Sequence, residues 1–134
     1  MGGLIVDTSV FVQIERRGGA VDFTPFAQYS PFAISAITVS ELLIGVHRAD
    51  TEQRRERRHQ FVQAVLTNVN IVSFDRNVAA THALIAAEMA KHGTLIGAHD
   101  LQIAATALHY GSAILTANPR EFQRVPRLQV LVFV

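Results

Sequence analysis

The chain has 134 residues, of which 49% are hydrophobic and 17% charged, with 12 Lys and Arg set against 11 Asp and Glu. That length and apolar content fit one domain with a buried core and exclude a disordered tail. The near-balance of charge excludes a global field that would draw in nucleic acid, and the absence of cysteine excludes disulfides and thiolate metal sites.

No basic and apolar leader precedes the first apolar run, and Val6 stands where a myristoylation signal wants a hydroxyl residue. No apolar stretch reaches the length of a bilayer span. The expectation is a soluble, cytoplasmic protein with no membrane partner.

Gly3–Val6 is a short apolar run that predicts a strand, and it ends in Asp7-Thr8-Ser9. Those three residues have two readings: Thr8 or Ser9 caps the next helix, or Asp7 stands over the end of a buried sheet, ready to hold a cation. A helix follows over Ser9–Arg17, stopped by Gly18-Gly19, and a short one over Pro25–Tyr29. Phe32–Ser35 predicts a second strand. From Val39 to Arg48 the apolar positions Val39, Leu42, Leu43 and Val46 recur at helical spacing.

A charged helix over Thr51–Asn68 carries Phe61, Val62, Val65 and Leu66, and Asn70–Ser73 predicts a third strand. Asp75 caps a helix to His92, another spans His99–Tyr110, and Ser112–Thr116 is again a strand. A helical turn at Pro119–Phe122 and a strand at Gln129–Phe133 close the chain. Strands alternating with helices predict a single α/β domain over 1–134, with a mainly parallel central sheet of 4–5 strands flanked by helices. Ligands of such sheets bind beyond the carboxyl ends of the strands, where Asp7 and Asn118 fall.

The acidic residues each have a structural reading and a chemical one. Thr38 and Glu41 match a capping box, yet Glu41 also lies opposite the apolar stripe of its own helix and can look across the sheet end. Asp100 shares a helix face with Ile103, Ala104 and Ala107, where burying a carboxylate is costly without a partner, although a helix N-terminus supplies some compensation. Asn118 before Pro119 has the form of a helix cap, with Glu121 in the first turn. Taken together, carboxylates gathered at one sheet end repel one another unless a divalent cation neutralises them, and oxygen donors without Cys suit Mg²⁺ or Mn²⁺.

The ordered motifs "DTS", "TVSELLIG", "HDLQIAATAL" and "ILTANPREF" resemble those of the PIN-domain nucleases, and most closely the VapC toxins of VapBC toxin–antitoxin pairs. The likeness covers nearly the whole chain. It implies that Asp7, Glu41 and Asp100 occupy acidic metal-site positions, and that Thr116 is the hydroxyl residue of the last motif. Asn118 departs from the family pattern, where Asp is common, with Glu121 one helical turn further on. Asn offers a carbonyl oxygen but no charge, which puts tight binding of a second metal in doubt.

On this reading Asp7 and Asp100 bind Mg²⁺, Glu41 orients or deprotonates the attacking water, and Thr8, Ser9 and Thr116 hold the carboxylates in place. The resemblance implies an endoribonuclease toxin that inhibits translation, an RNA substrate, a VapB-like antitoxin, and a homodimer or hetero-oligomer. Arg54 belongs to the basic cluster "RRERRHQ", first of all a solvated helix face. With Arg16, Arg17 and Arg120 it is also a candidate for phosphate contacts. His99 is expected at a partly exposed helix start with no chemistry of its own. Two rivals stand beside the nuclease: a PIN-fold module that binds RNA or a partner with weak or no catalysis, and a metal phosphohydrolase of small esters. Against the second, no glycine-rich phosphate loop is present.

Overall fold

The apolar runs become strands of one sheet. The computed structural model describes residues 2–134, in the order β1 (Leu4–Val6), α1 (Thr8–Arg16), a 3-10 segment (Thr24–Tyr29), β2 (Phe32–Ser35), α2 (Ala36–His47), α3 (Glu52–Asn68), β3 (Asn70–Val72), α4 (Arg76–Lys91), α5 (Ala98–His109), β4 (Ala113–Thr116), α6 (Pro119–Phe122) and β5 (Val130–Val132). The spatial order is β3-β2-β1-β4-β5, and every neighbouring pair is parallel. The five-stranded parallel sheet flanked by helices is the predicted architecture.

β1 takes the centre because it is apolar on both faces: Leu4, Ile5 and Val6 are all buried. Its alternation splits the core in two. Leu4 and Val6 pack with Val10, Phe11, Ile34, Val62 and Leu115, under α1 and α3. Ile5 points the other way and packs with Met89, Ile103, Ala104 and Ile114, under α4 and α5. Truncating a side chain as deeply buried as Ile114 to Ala costs about 2–5 kcal/mol.

Two helix starts differ from the sequence expectation. α1 is capped by the Asp7 carboxylate, which accepts from the Ser9 amide, and not by Thr8 or Ser9. α2 begins at Ala36 rather than Val39, because the Ser35 hydroxyl accepts from the Ile37 amide. Thr38 and Glu41 therefore lie inside the helix, and the capping box fails. Glu41 is thereby free to face another element.

From β1 the chain winds outward through β2 and β3, then crosses back to place β4 on the other side of β1. The winding direction reverses between β1 and β4, and there the carboxyl ends of two adjacent parallel strands open a crevice. Asp7 follows the last residue of β1, and Thr116 ends β4.

Candidate active site

Asp7 is 4% exposed, and its oxygens have unequal lots. Oδ2 accepts from Ser9 Oγ at 2.5 Å, Thr116 Oγ1 at 2.9 Å and, at longer range, the Ser9 amide at 3.4 Å. Each hydroxyl is itself held by a backbone donor: the Ala117 amide donates to Ser9 Oγ and the Asn118 amide to Thr116 Oγ1, both at 3.0 Å. An amide can only donate, so each hydroxyl is left to turn its own proton toward the carboxylate. Among the described residues Oδ1 has no hydrogen-bond partner. Burial raises the Asp7 pKa above its ordinary value, the Ser9 and Thr116 bonds pull it down, and the Glu41 charge adds to the rise.

Glu41 reaches the crevice from α2. Its Oε1 accepts from Thr8 Oγ1 at 2.6 Å, and its Oε2 lies 3.3 Å from His99 Nδ1. Asp100 enters from the first turn of α5, where its carboxyl stands against the Glu121 carboxyl of α6. Burial, the facing Glu121 carboxyl and the charges of Asp7 and Glu41 push the Asp100 pKa up from 3.8 to about 7. The two carboxyls converge over Gly97, where an added Cβ would stand 3.8 Å from Glu121 Oε2 and 3.9 Å from Asp100 Oδ2.

Asp7, Glu41, Asp100 and Asn118 line a cavity of about 650 Å³, with Arg16 and Arg17 on its α1 side. A larger cavity, about 800 Å³, lies among Phe23, Phe32, Phe61 and Val65 and has no titratable lining residue. Chemistry therefore assigns the site to the smaller one. No Lys or Arg forms an ion pair with Asp7, Glu41, Asp100 or Glu121 among the described residues; only His99 stands against one of them. The donors are all oxygen, which suits a hard divalent cation. Among the described residues no three His, Cys, Asp or Glu side chains already close around one point.

The sequence-derived set is thus brought together in large part: Asp7, Thr8, Ser9, Glu41, Asp100 and Asn118 line one cavity, with Thr116 behind Asp7 and Glu121 against Asp100. Asn118 stands at the start of α6 as expected, but its side chain makes no capping bond and is exposed at the cavity. The arginines divide. Arg16 and Arg17 line the cavity, although Arg17 also donates to the Val134 carbonyl at 3.2 Å. Arg54 is tied to Asp50 at 2.9 Å on the surface of α3, and neither it nor Arg120 lines the cavity.

Sequence reasoning missed two residues. Thr38, taken only as a capping hydroxyl, is buried and contacts Thr8 at 3.0 Å. His99 meets a carboxylate 58 residues away. The spacing of Thr38 one helical turn before Glu41 was a usable signal for the first; none existed for the second.

Residues 4–128 match the PIN domain. Ribonuclease VapC of Rickettsia bellii (strain RML369-C) is 38% identical over 129 residues, covering 96% of this chain and 95% of that protein. The tRNA(fMet)-specific endonuclease VapC of Shigella flexneri is 33% identical over 126 residues, covering 93% of each. Among solved structures, DNA-bound VapBC from Salmonella typhimurium superposes with a TM-score of 0.87 at 27% identity, over 98% of both chains. With a match over nearly its full length, the chain belongs to the PIN-domain family, and within it to the VapC type.

Proposed function

We propose that this chain is the toxin of a type II toxin–antitoxin pair, a Mg²⁺- or Mn²⁺-dependent endoribonuclease that stops growth by cutting RNA needed for translation. The observation that carries this reading is the group Asp7, Glu41, Asp100 and Glu121 at the sheet switch point, charged alike and without a Lys or Arg ion pair among the described residues. Such a group gains most from a divalent cation. The relatives named ribonuclease and endonuclease VapC support RNA as substrate, and the VapBC complex supports a VapB-like antitoxin as partner.

Asp7, through its free Oδ1, and Asp100 would hold the ion, with the Asn118 carbonyl as a further neutral donor. When bound, the cation supplies charge stabilisation at the phosphate in the transition state. The chain's own residues supply the rest. Ser9 and Thr116 keep Asp7 Oδ2 occupied, so that Oδ1 is the oxygen left without a protein donor on a residue that lines the cavity. Thr8 holds Glu41 Oε1 and His99 Nδ1 stands 3.3 Å from Oε2, so the carboxylate is oriented from both sides. It would orient the attacking water and take its proton as the water oxygen bonds to phosphorus; the sugar oxygen leaves with the P–O electron pair, to be protonated from solvent. Arg16, on the cavity wall, is placed for a neighbouring phosphate of the strand.

The test compares wild-type protein, purified free of antitoxin, with the Asp7→Asn and Asp100→Asn variants. Substrates are total RNA and a tRNA fraction, in Mg²⁺, Mn²⁺ or chelator. Discrete fragments that need the metal and vanish in both variants are expected. Intact RNA in every lane, from protein shown to be folded, would sink the enzyme and leave the binding module.

A further inference from the structure

One polar side chain in the cavity has no task in the reaction described above and no partner in the protein. The Thr8 and Ser9 hydroxyls are bonded to Glu41 and Asp7, and Arg17 donates to the Val134 carbonyl. Asp7, Asp100 and Asn118 are assigned to the ion, Glu41 to the water and Arg16 to a phosphate. Gln13 is left. It is half-buried and lines the cavity, and its side-chain amide makes no hydrogen bond among the described residues.

The period of α1 puts it there. Val10, Phe11 and Ile14 are buried in the core, which turns Ser9, Gln13 and Arg16 together toward the cavity, at spacings of four and three residues. Gln13 stands one turn beyond Ser9, about 6 Å along the helix axis, and the Ser9 hydroxyl touches Asp7. Arg16 comes almost a turn further out. A strand of RNA that lies along this face with its reacting phosphate at Asp7 passes Gln13 before it reaches Arg16.

An ionised carboxylate only accepts hydrogen bonds and a guanidinium only donates them, whereas the Gln13 amide does both. A base edge sets donors beside acceptors, and a Gln amide meets such a pair with two bonds at once, as at N6 and N7 of adenine. Adenine suits it on either edge, because the N6 donor stands between the acceptors N1 and N7. Single-stranded RNA leaves both edges open. We propose that Gln13 is a specificity-determining residue: its amide reads an adenine beside the cut. The role rests on the nuclease reading above. Arg16 meets only phosphate, which is the same in every nucleotide; Gln13 meets the base.

The test uses RNAs that differ only in the bases flanking a cut mapped with wild type. Wild type should favour adenine there about tenfold, the scale of one bidentate base contact. Gln13→Leu should lose that ratio. Gln13→Glu should move it to guanine, whose N1–H and N2–H₂ offer a carboxylate two donors. Ratios within one variant cancel any loss common to all RNAs, and thermal melts check that each variant is folded. Arg16→Ala should slow every RNA alike and keep the ratio. No adenine preference in wild type, or the wild-type ratio retained in Gln13→Leu or Gln13→Glu, would overturn the proposal. If wild type cuts no RNA, the nuclease reading fails, and binding of short adenine, cytosine, guanine and uracil homo-oligonucleotides in Ca²⁺ decides on Gln13. Tighter binding of the adenine oligonucleotide that Gln13→Leu abolishes keeps the base contact; equal affinities remove it.

Discussion

Asp7 and Asp100 line the same cavity, and the protein treats them differently. Asp7 is more deeply buried, yet two hydroxyls and an amide are aimed at one of its oxygens, and each hydroxyl is braced by a backbone N–H. Asp100 is only half-buried, yet what stands against it is another carboxyl, and its pKa climbs to about 7. One side of the site is finished by the fold. The other is left with a charge conflict that only a proton or a cation relieves. The difference separates geometry from electrostatics: α1 and β4 fix where the first carboxylate points, while α5 and α6 supply the unrelieved negative charge to which the proposed cation would respond.

The sharpest break of that comparison is removal of either charge. Asp7→Asn and Asp100→Asn should each lower kcat/KM by more than the roughly 10–100-fold typical of outer-shell partners, measured on a cleaved RNA. In chelator at pH 8, Asp100→Asn should also raise Tm by relieving like-charge repulsion, which thermal melts decide.

Next comes the brace. Thr116→Val leaves the buried Asp7 Oδ2 short of a donor and takes the acceptor from the Asn118 amide at the cavity edge. It should cost about 1–3 kcal/mol, read from urea unfolding. No comparable loss is expected from Glu121→Gln, which removes a repulsive neighbour of Asp100.

The pH dependence tests the other side. Asp100 holds its proton to about pH 7 in the folded protein and to about 3.8 in the unfolded chain, so the folded state binds more protons between those values. Stability contributed by this group is highest toward the lower figure and falls as pH rises through the window. Urea midpoints in chelator should therefore decline from pH 5 to 8, and millimolar Mg²⁺ should flatten the decline; a flat profile in chelator would remove the conflict at Asp100. The smallest effect is expected at His99, exposed and 3.3 Å from Glu41: His99→Ala should change kcat no more than a few-fold, in proportion to a surface contact.

Much of this was legible in the sequence, and the reason is local. Leu4–Val6 had to be buried on both faces, and Asp7 follows directly, so a carboxylate at the end of a central strand could be read from adjacent residues. Phe32–Ser35 and Pro119–Phe122 fall where their patterns put them. The start of α2 was misread because Ser35 and Thr38 are both good caps, and only the end of β2 decides between them. Glu41 with His99 depends on helix orientations that no window of sequence contains, whereas the pairing of Arg54 with Asp50, four residues back, was open to a local reading.

The bond from Thr116 to Asp7 joins residues 109 apart in the chain, and β1 pairs with β4 across the same span. An element at the beginning therefore waits for one near the end. While the protein is being made, Asp7 has neither its brace nor the neighbour that completes the crevice, and Asn118 has not yet emerged. The crevice is thus a product of long-range closure: the segment that carries Asp7 has no complete site of its own until residues 113–118 are there to pair with it.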